Sequence, residues 1–269
     1  MKFSRGLLLV GCGRMGGALL SGCLSRGIVA AGDVTVVEPS APARAEAEKL
    51  GVRAVAEAPG QGVPDVVLVA VKPQVMDAVM PAYGRLAGHS LFLSIAAGRT
   101  VASFTRLLGD KAAVVRAMPN TPAQVGRGIT ALYGSTNVDA GARAKAEALM
   151  EAMGEVVWLA DESQMDAVTA VSGSGPAYIF HLIEALETAA RAAGLPDDLA
   201  AKLARATVTG AAELAFQSPE SAAKLRENVT SPGGTTAAAL AVLMDEKGLT
   251  DLMTRAVAAA AKRSKELAG

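Results

Sequence analysis

Aromatic side chains are scarce: they make up 3% of the 269 residues, so the core has to be built from alanine, valine and leucine. No charge of one sign dominates, because 26 Lys and Arg balance 26 Asp and Glu. With neither a basic block nor aromatics interleaved with one, the chain lacks the footprint of a nucleic-acid binder. Two cysteines, Cys12 and Cys23, cannot make a disulfide framework. They and the two histidines, His89 and His181, also lack metal-ligand spacing, so no metal is expected. The apolar run at the amino end, Leu7-Leu8-Leu9-Val10, is too short for a secretory leader or a bilayer span. These absences lead to an expectation of a cytoplasmic protein with neither membrane nor nucleic acid as partner.

What is present is glycine in a meaningful place. Leu7 to Val10 reads as a buried strand and feeds Gly11-Cys12-Gly13-Arg14-Met15-Gly16, followed by a helical stretch through Ala18, Leu19 and Leu20. In a G-x-G-x-x-G the first glycine allows the turn and the second lets backbone approach a pyrophosphate. The third lets helix and strand pack closely. A second apolar strand, Val34-Thr35-Val36-Val37, ends at Glu38, the spacing of a ribose-binding carboxylate. With a strand before it and a helix behind it, the motif points to a dinucleotide.

Two halves differ in period. Through residue 162 short strands alternate with helices, which means βαβ units and a mostly parallel, doubly wound sheet of the Rossmann type. The expected strands are Val34–Val37, Val66–Val71, Leu91–Ile95, Ala113–Arg116, Ile129–Tyr133 and Val156–Leu159; helices are expected at Ala41–Leu50, Gln74–Leu86 and around Ala140–Met153. From 163 to 269 the strand signal stops. Ala177–Ala193, Pro196–Phe216, Ser218–Asn228, Thr236–Asp245 and Thr250–Leu267 read as helices, punctuated by Gly194, Pro196 and Pro219. Ala200–Ala215 is apolar or small on most faces, which implies burial against other helices and a homo-oligomer.

In an open α/β sheet, ligands bind beyond the carboxyl ends of the strands. Val71-Lys72-Pro73-Gln74 follows one strand and Ala96-Ala97-Gly98 another, the latter small enough to admit a flat ring. Asn120, confined between Pro119 and Pro122, follows a third and could present its amide to a carboxamide or ribose, or simply close a turn. Ser172-Gly173-Ser174-Gly175-Pro176 opens the first long helix, as a ligand-facing helix start or as a joining turn. In Thr230-Ser231-Pro232-Gly233-Gly234-Thr235-Thr236, three or more hydroxyls and free backbone N–H groups crowd a helix start, a place for a small carboxylate.

Taken together, Gly11 to Gly16, Val71 to Gln74, Arg116 to Pro122, Ser172 to Tyr178 and above all Asn228 to Thr236 resemble the pyrroline-5-carboxylate reductases over nearly the whole chain. The resemblance implies a Rossmann domain followed by a helical dimerisation domain, dimers assembled into a larger ring such as a decamer, and reduction of the cyclic imine 1-pyrroline-5-carboxylate to L-proline by NADPH or NADH. It assigns Thr236 to the imine nitrogen, and Val229, Ser231, Gly233, Gly234 and Thr235 to the substrate carboxylate. Cofactor contacts fall to Gly11, Gly13, Arg14, Met15, Gly16, Glu38, Ser40, Val71, Lys72, Pro73, Ala97, Gly98 and Asn120.

Glu38 is a departure. A carboxylate there suits a free 2′-hydroxyl, while Ser40 and Arg44 could take a 2′-phosphate if Glu38 turned away, so the choice between NADH and NADPH stays open at this stage. Two rivals have other chemistry. A 3-hydroxyacid dehydrogenase would use Lys72 as its acid and base, against which the Ser231 to Thr236 segment argues. A nucleotide-sensing protein would bind the dinucleotide and turn nothing over.

Overall fold

In the computed structural model, residues 3–268 are described, with side-chain environments through residue 267. The chain divides into two compact units. The first runs to Gly173 and takes in the chain end from Ala261; the second is Ser174–Ala260.

The first unit is an eight-stranded sheet of order β3-β2-β1-β4-β5-β6-β7-β8. Its strands are β1 (Leu7–Val10), β2 (Val34–Val37), β3 (Arg53–Val55), β4 (Val66–Val69), β5 (Leu91–Ser94), β6 (Ala113–Met118), β7 (Gly128–Gly134) and β8 (Gly154–Trp158). All neighbours pair in parallel except β6 and β7. The helices of this unit are α1 (Arg14–Ser25), α2 (Ala41–Glu48), α3 (Met76–Val79), α4 (Val101–Leu108), α5 (Ala140–Glu151) and α6 (Met165–Val168). The strands are apolar at successive positions because both faces are covered, as a parallel sheet requires. Leu7 and Leu9, Val66 and Leu68, and Leu91 and Leu93 join Leu19, Leu20, Leu149 and Met150 from α1 and α5 in one core. The alternate residues Leu8, Val10, Val67, Val69 and Phe92 pack with Met76, Met80, Leu86 and Phe104 in the other.

Three features depart from the expectation. The stretch from Gln74 to Leu86 is not one helix: 3₁₀ turns at Pro73–Val75 and Met80–Leu86 flank the four-residue α3. Pro81 lacks the N–H an α-helix would use and crowds the preceding turn, so the helix stops there. β3 is an added strand, and Thr169–Gly173 forms a π-helical turn.

At the amino ends of the strands, Asp65 ties several segments together. Its buried carboxylate accepts from the Arg5 N–H at 2.9 Å, from Arg5 Nη2 at 3.2 Å and from Lys145 Nζ of α5 at 2.8 Å. Arg5 Nη2 also donates to the His89 carbonyl at 3.0 Å, which brings in the turn before β5. Burial pushes the Asp65 carboxyl up, but the Lys145 hydrogen bond and the Arg5 N–H and guanidinium outweigh it and hold the group below its ordinary value.

The second unit is helical: α7 (Gly175–Ala192), α8 (Asp197–Gln217), α9 (Ala222–Asn228), α10 (Thr235–Leu243) and most of α11 (Leu249–Ala268). Between residues 174 and 260 only Ala200 and Ala204 of α8 are buried. The rest of the Ala200–Ala215 run, expected to be covered, is open in the single chain, and Leu186, Leu203, Leu214 and Phe216 are exposed. No helix among the described residues is long and apolar enough to cross a membrane.

Replacing Asp65 by asparagine should lower stability by about 2 kcal/mol, a buried-pair loss discounted for the partly exposed Arg5. The depressed carboxyl contributes stability above its unfolded value and loses it as pH falls through the folded one. The variant should therefore melt earlier at pH 7, and the difference from wild type should shrink below about pH 4; equal melting temperatures at pH 7 would remove this role.

Candidate active site

The strand order reverses at β1, which has β2 on one side and β4 on the other, so a crevice opens beyond the carboxyl ends of β1 and β4. The glycine turn lies there, and each glycine has its own reason. Gly11 has φ +88°, and a Cβ on it would lie 2.9 Å from Val71 Cγ1 and 3.0 Å from the Ala70 carbonyl. A Cβ on Gly16 would lie 2.7 Å from the Gly11 carbonyl oxygen and 3.0 Å from Ala70 Cβ. Nothing lies within 4 Å of a Cβ on Gly13, the residue that caps α1. The first intrahelical bond after the cap runs from the Gly17 N–H to the Gly13 carbonyl at 2.8 Å. The N–H groups of Arg14, Met15 and Gly16 precede it, with no acidic residue in the first turn. That is an open cradle with positive polarity, fit for a pyrophosphate.

A cavity of about 520 Å³ extends from the turn and is lined by Gly11, Gly13, Glu38, Val71 and Lys72 from the expected set. Sequence reasoning missed its far wall, where Ala56 to Ala58 follow β3 and Val79 and Tyr83 come from the broken helical segment. Burial pushes the Tyr83 phenol up to about 12. Arg14, Met15 and Gly16 form the first turn of α1 behind Gly13. Glu38 is half-buried: its Oε2 accepts from the Cys12 N–H at 2.8 Å and its Oε1 from the Ser40 N–H at 3.0 Å. Burial first, and Glu38 second, push the Cys12 thiol up, so the turn carries no thiolate.

Pro73, Ala97, Gly98 and Asn120 do not line this cavity. Two charged residues that the sequence did not single out brace their loops. Arg99 Nη2 donates to the Pro73 carbonyl at 2.6 Å and Nη1 to Asp77 at 3.0 Å, clamping the loop after β5 to the turn after β4. Glu162 Oε1 accepts from the Val101 N–H at 2.8 Å and from Arg116 Nη1 at 2.5 Å, fixing the start of α4 to β6. Asn120 is buried and its Oδ1 accepts from the Ile129 N–H at 3.0 Å. It closes the turn into β7.

In the helical unit, Ser231 to Gly234 form the expected turn: the Gly234 N–H donates to the Ser231 carbonyl at 3.0 Å, and Gly233 has φ +69°. Gly234 caps α10 without a side-chain hydrogen bond and with no acidic residue in the first turn. The first bond inside the helix is from the Ala238 N–H to the Gly234 carbonyl at 3.2 Å, which leaves the Thr235, Thr236 and Ala237 N–H groups at the open end. Val229 and Ser231 are exposed beside it, whereas the Thr230 hydroxyl is turned back to the Arg226 carbonyl at 2.6 Å. His181 is exposed on α7 and pairs with Glu184 at 3.0 Å.

Comparison with known proteins meets this geometry at both ends. A family described as pyrroline-5-carboxylate reductase dimerisation matches residues 162–267, and one described as NADP oxidoreductase, coenzyme F420-dependent, matches residues 6–98. A pyrroline-5-carboxylate reductase of Pseudomonas aeruginosa is 41% identical over 265 residues, covering 97% of this chain and 96% of its own. This chain belongs to the pyrroline-5-carboxylate reductase family. A solved reductase of Coxiella burnetii superposes with a TM-score of 0.92 at 37% identity over 98% of each chain. The Plasmodium falciparum reductase, solved with NADP bound, gives 0.83 at 27% identity over the full length of both. The reductase family implies a dinucleotide, and the open Gly13 cradle, with the Arg14, Met15 and Gly16 N–H groups ahead of the first intrahelical bond, fits one.

The glycines separate binding from folding. Gly13→Ala should melt within a few degrees of wild type yet bind NADH at least about tenfold more weakly, since its methyl fills the cradle alone. Gly16→Ala should melt markedly earlier because its methyl meets the Gly11 carbonyl. Calorimetric titration and thermal melts of the two variants check this; unchanged affinity in Gly13→Ala would displace the pyrophosphate from the cradle.

Proposed function

We infer that this chain is an NAD(P)H-dependent imine reductase that converts 1-pyrroline-5-carboxylate to L-proline, the last step of proline synthesis. The reading is carried by full-length membership of the reductase family at 41% identity, with the family's Ser231–Thr236 segment folded as an open helix start. The dinucleotide domain is taken as residues 1–162 and the helical dimerisation and substrate domain as 163–269, the boundary falling where strands give way to helices.

The substrate is a five-membered ring with one carboxylate and one C=N bond. A reduced nicotinamide, when bound, would supply the hydride that the imine carbon receives. The C=N electron pair then moves onto nitrogen, which must hold a proton for the product amine to form. The α10 start suits the carboxylate, because its N–H groups point at the ligand and Ser231 and Thr235 add hydroxyls. Gly233 and Gly234 keep the turn low, and Val229 adds an apolar wall. Thr236, on the first turn of α10, is assigned to the imine nitrogen: its hydroxyl accepts from the N–H of a substrate bound as the iminium, or, for a substrate bound as the neutral imine, helps deliver the proton that the nitrogen takes up. An iminium accepts hydride far better than a neutral imine, so no strong protein acid is required. Exposed His181, half-buried Cys12 and buried Cys23 are therefore not needed as acids. Catalysis then rests on holding the reacting carbon in line, an effect worth several orders of magnitude.

The dimerisation family match and the open apolar faces of α7, α8 and α10 support a homodimer, which we propose assembles into a larger ring such as a decamer. Its setting is the cytoplasm, where reduced nicotinamide cofactors are kept available and the two free cysteines stay reduced.

Purified protein should oxidise NADPH or NADH only when 1-pyrroline-5-carboxylate is added, with proline formed in equal amount; hydroxyacid oxidation in its place would install the dehydrogenase reading. Thr236→Val should lower kcat by about a hundredfold with the dinucleotide Kd nearly unchanged, and wild-type turnover would dismiss Thr236 from the nitrogen. Light scattering at micromolar concentration should give a dimer or a multiple of it, and a monomer would end the assembly proposal.

A further inference from the structure

We propose that Glu38 sets the cofactor preference of this chain, favouring a dinucleotide with a free 2′-hydroxyl over one with a 2′-phosphate. The inference rests on the reading of the Gly11–Gly16 cavity as the dinucleotide site. Glu38 is held from several sides. Its N–H donates to the Val55 carbonyl of β3 at 2.9 Å, and its two carboxylate oxygens accept from the Cys12 and Ser40 N–H groups at 2.8 and 3.0 Å. The side chain thus bridges the glycine turn and the start of α2, and it forms part of the cavity wall. Turning it outward would leave the Cys12 N–H without its acceptor.

A carboxylate oxygen that accepts one N–H keeps a lone pair for a second donor, so a ribose hydroxyl can still bind it. A 2′-phosphate brings only acceptors and negative charge to the same place. The cations that would offset this are otherwise engaged or outnumbered. Arg44 Nη1 is anchored to the Glu38 and Pro39 carbonyls at 2.8 and 2.7 Å. Among the charged side chains lining the cavity, Lys72 is outnumbered by Glu38 and Glu57. The wall is therefore net negative, and like-charge contact is discriminating rather than neutral.

The test is binding, which does not depend on imine reduction. Calorimetric titration of the full chain with NADH and NADPH, and with 5′-AMP and 2′,5′-ADP as their adenosine halves, should give NADH and 5′-AMP the lower Kd by at least about tenfold. Glu38→Gln, which keeps an acceptor and removes the charge, should narrow that ratio by about tenfold, chiefly by tightening the 2′-phosphorylated ligands; Glu38→Ser is the second variant, with thermal melts reporting folding. Equal or tighter binding of NADPH and 2′,5′-ADP to wild type overturns the proposal and leaves the reductase reading standing. An unchanged ratio in both folded variants also overturns it. No binding of any of the four overturns it together with the dinucleotide site. Should neither variant fold, the wild-type ratio decides alone.

Discussion

The dinucleotide end of this molecule depends on one close approach. The first turn of α1 lies so near the end of β4 that neither Gly11 nor Gly16 could carry a methyl group without striking Ala70, Val71 or the turn's own carbonyl. That contact brings the open end of α1 to the mouth of the crevice. It also places the Cys12 N–H within reach of Glu38 at the end of β2. Remove the approach and the helix end, the carboxylate and the cavity wall no longer share a location. The chemistry at this end is thus an outcome of backbone proximity, with side chains added to it.

The two units are stabilised differently. The sheet unit has apolar layers on both faces, and Asp65 fastens its amino end through Arg5 and Lys145. Its carboxyl end, where the ligand belongs, is braced by charged side chains holding loops: Arg99 on Pro73, Glu162 on Val101, Glu38 on Cys12 and Ser40. These braces act on backbone groups, which suits a site whose contacts to a pyrophosphate are also made by backbone. The helical unit has little interior within one chain, and its binding turn rests on local geometry: one positive-φ glycine and one uncapped helix start.

Much of this was legible in the sequence because it is carried by short-range rules. The strand runs, the glycine turn and the helix starts at Gly175-Pro176 and after Gly234 follow from period and local sterics, and apart from Gln74–Leu86 the helices sit within a few residues of their expected ends. β3 was not legible, since Arg53-Ala54-Val55 is too short for alternation to show. The antiparallel β6–β7 pair was not legible either, because direction is settled by the Pro119 to Gly126 turn and the packing, not by the strands' own residues. Helix period hid the break at Pro81. At the candidate site, the glycines and Glu38 announced themselves by spacing. The direction of the Glu38 carboxylate did not, because it depends on two N–H groups brought together only by the fold, and the bracing roles of Arg99 and Glu162 were hidden for the same reason.

The near-absence of buried residues between 174 and 260 reaches beyond assembly. In the proposed homodimer, such a helical region completes its interior only once a second copy is met. In a two-fold pair each substitution on such a face is also made twice, opposite or near itself, so a change of modest effect in a monomer is doubled. Drift on these helices is therefore constrained by self-complementarity: a new side chain has to tolerate its own image before it can persist.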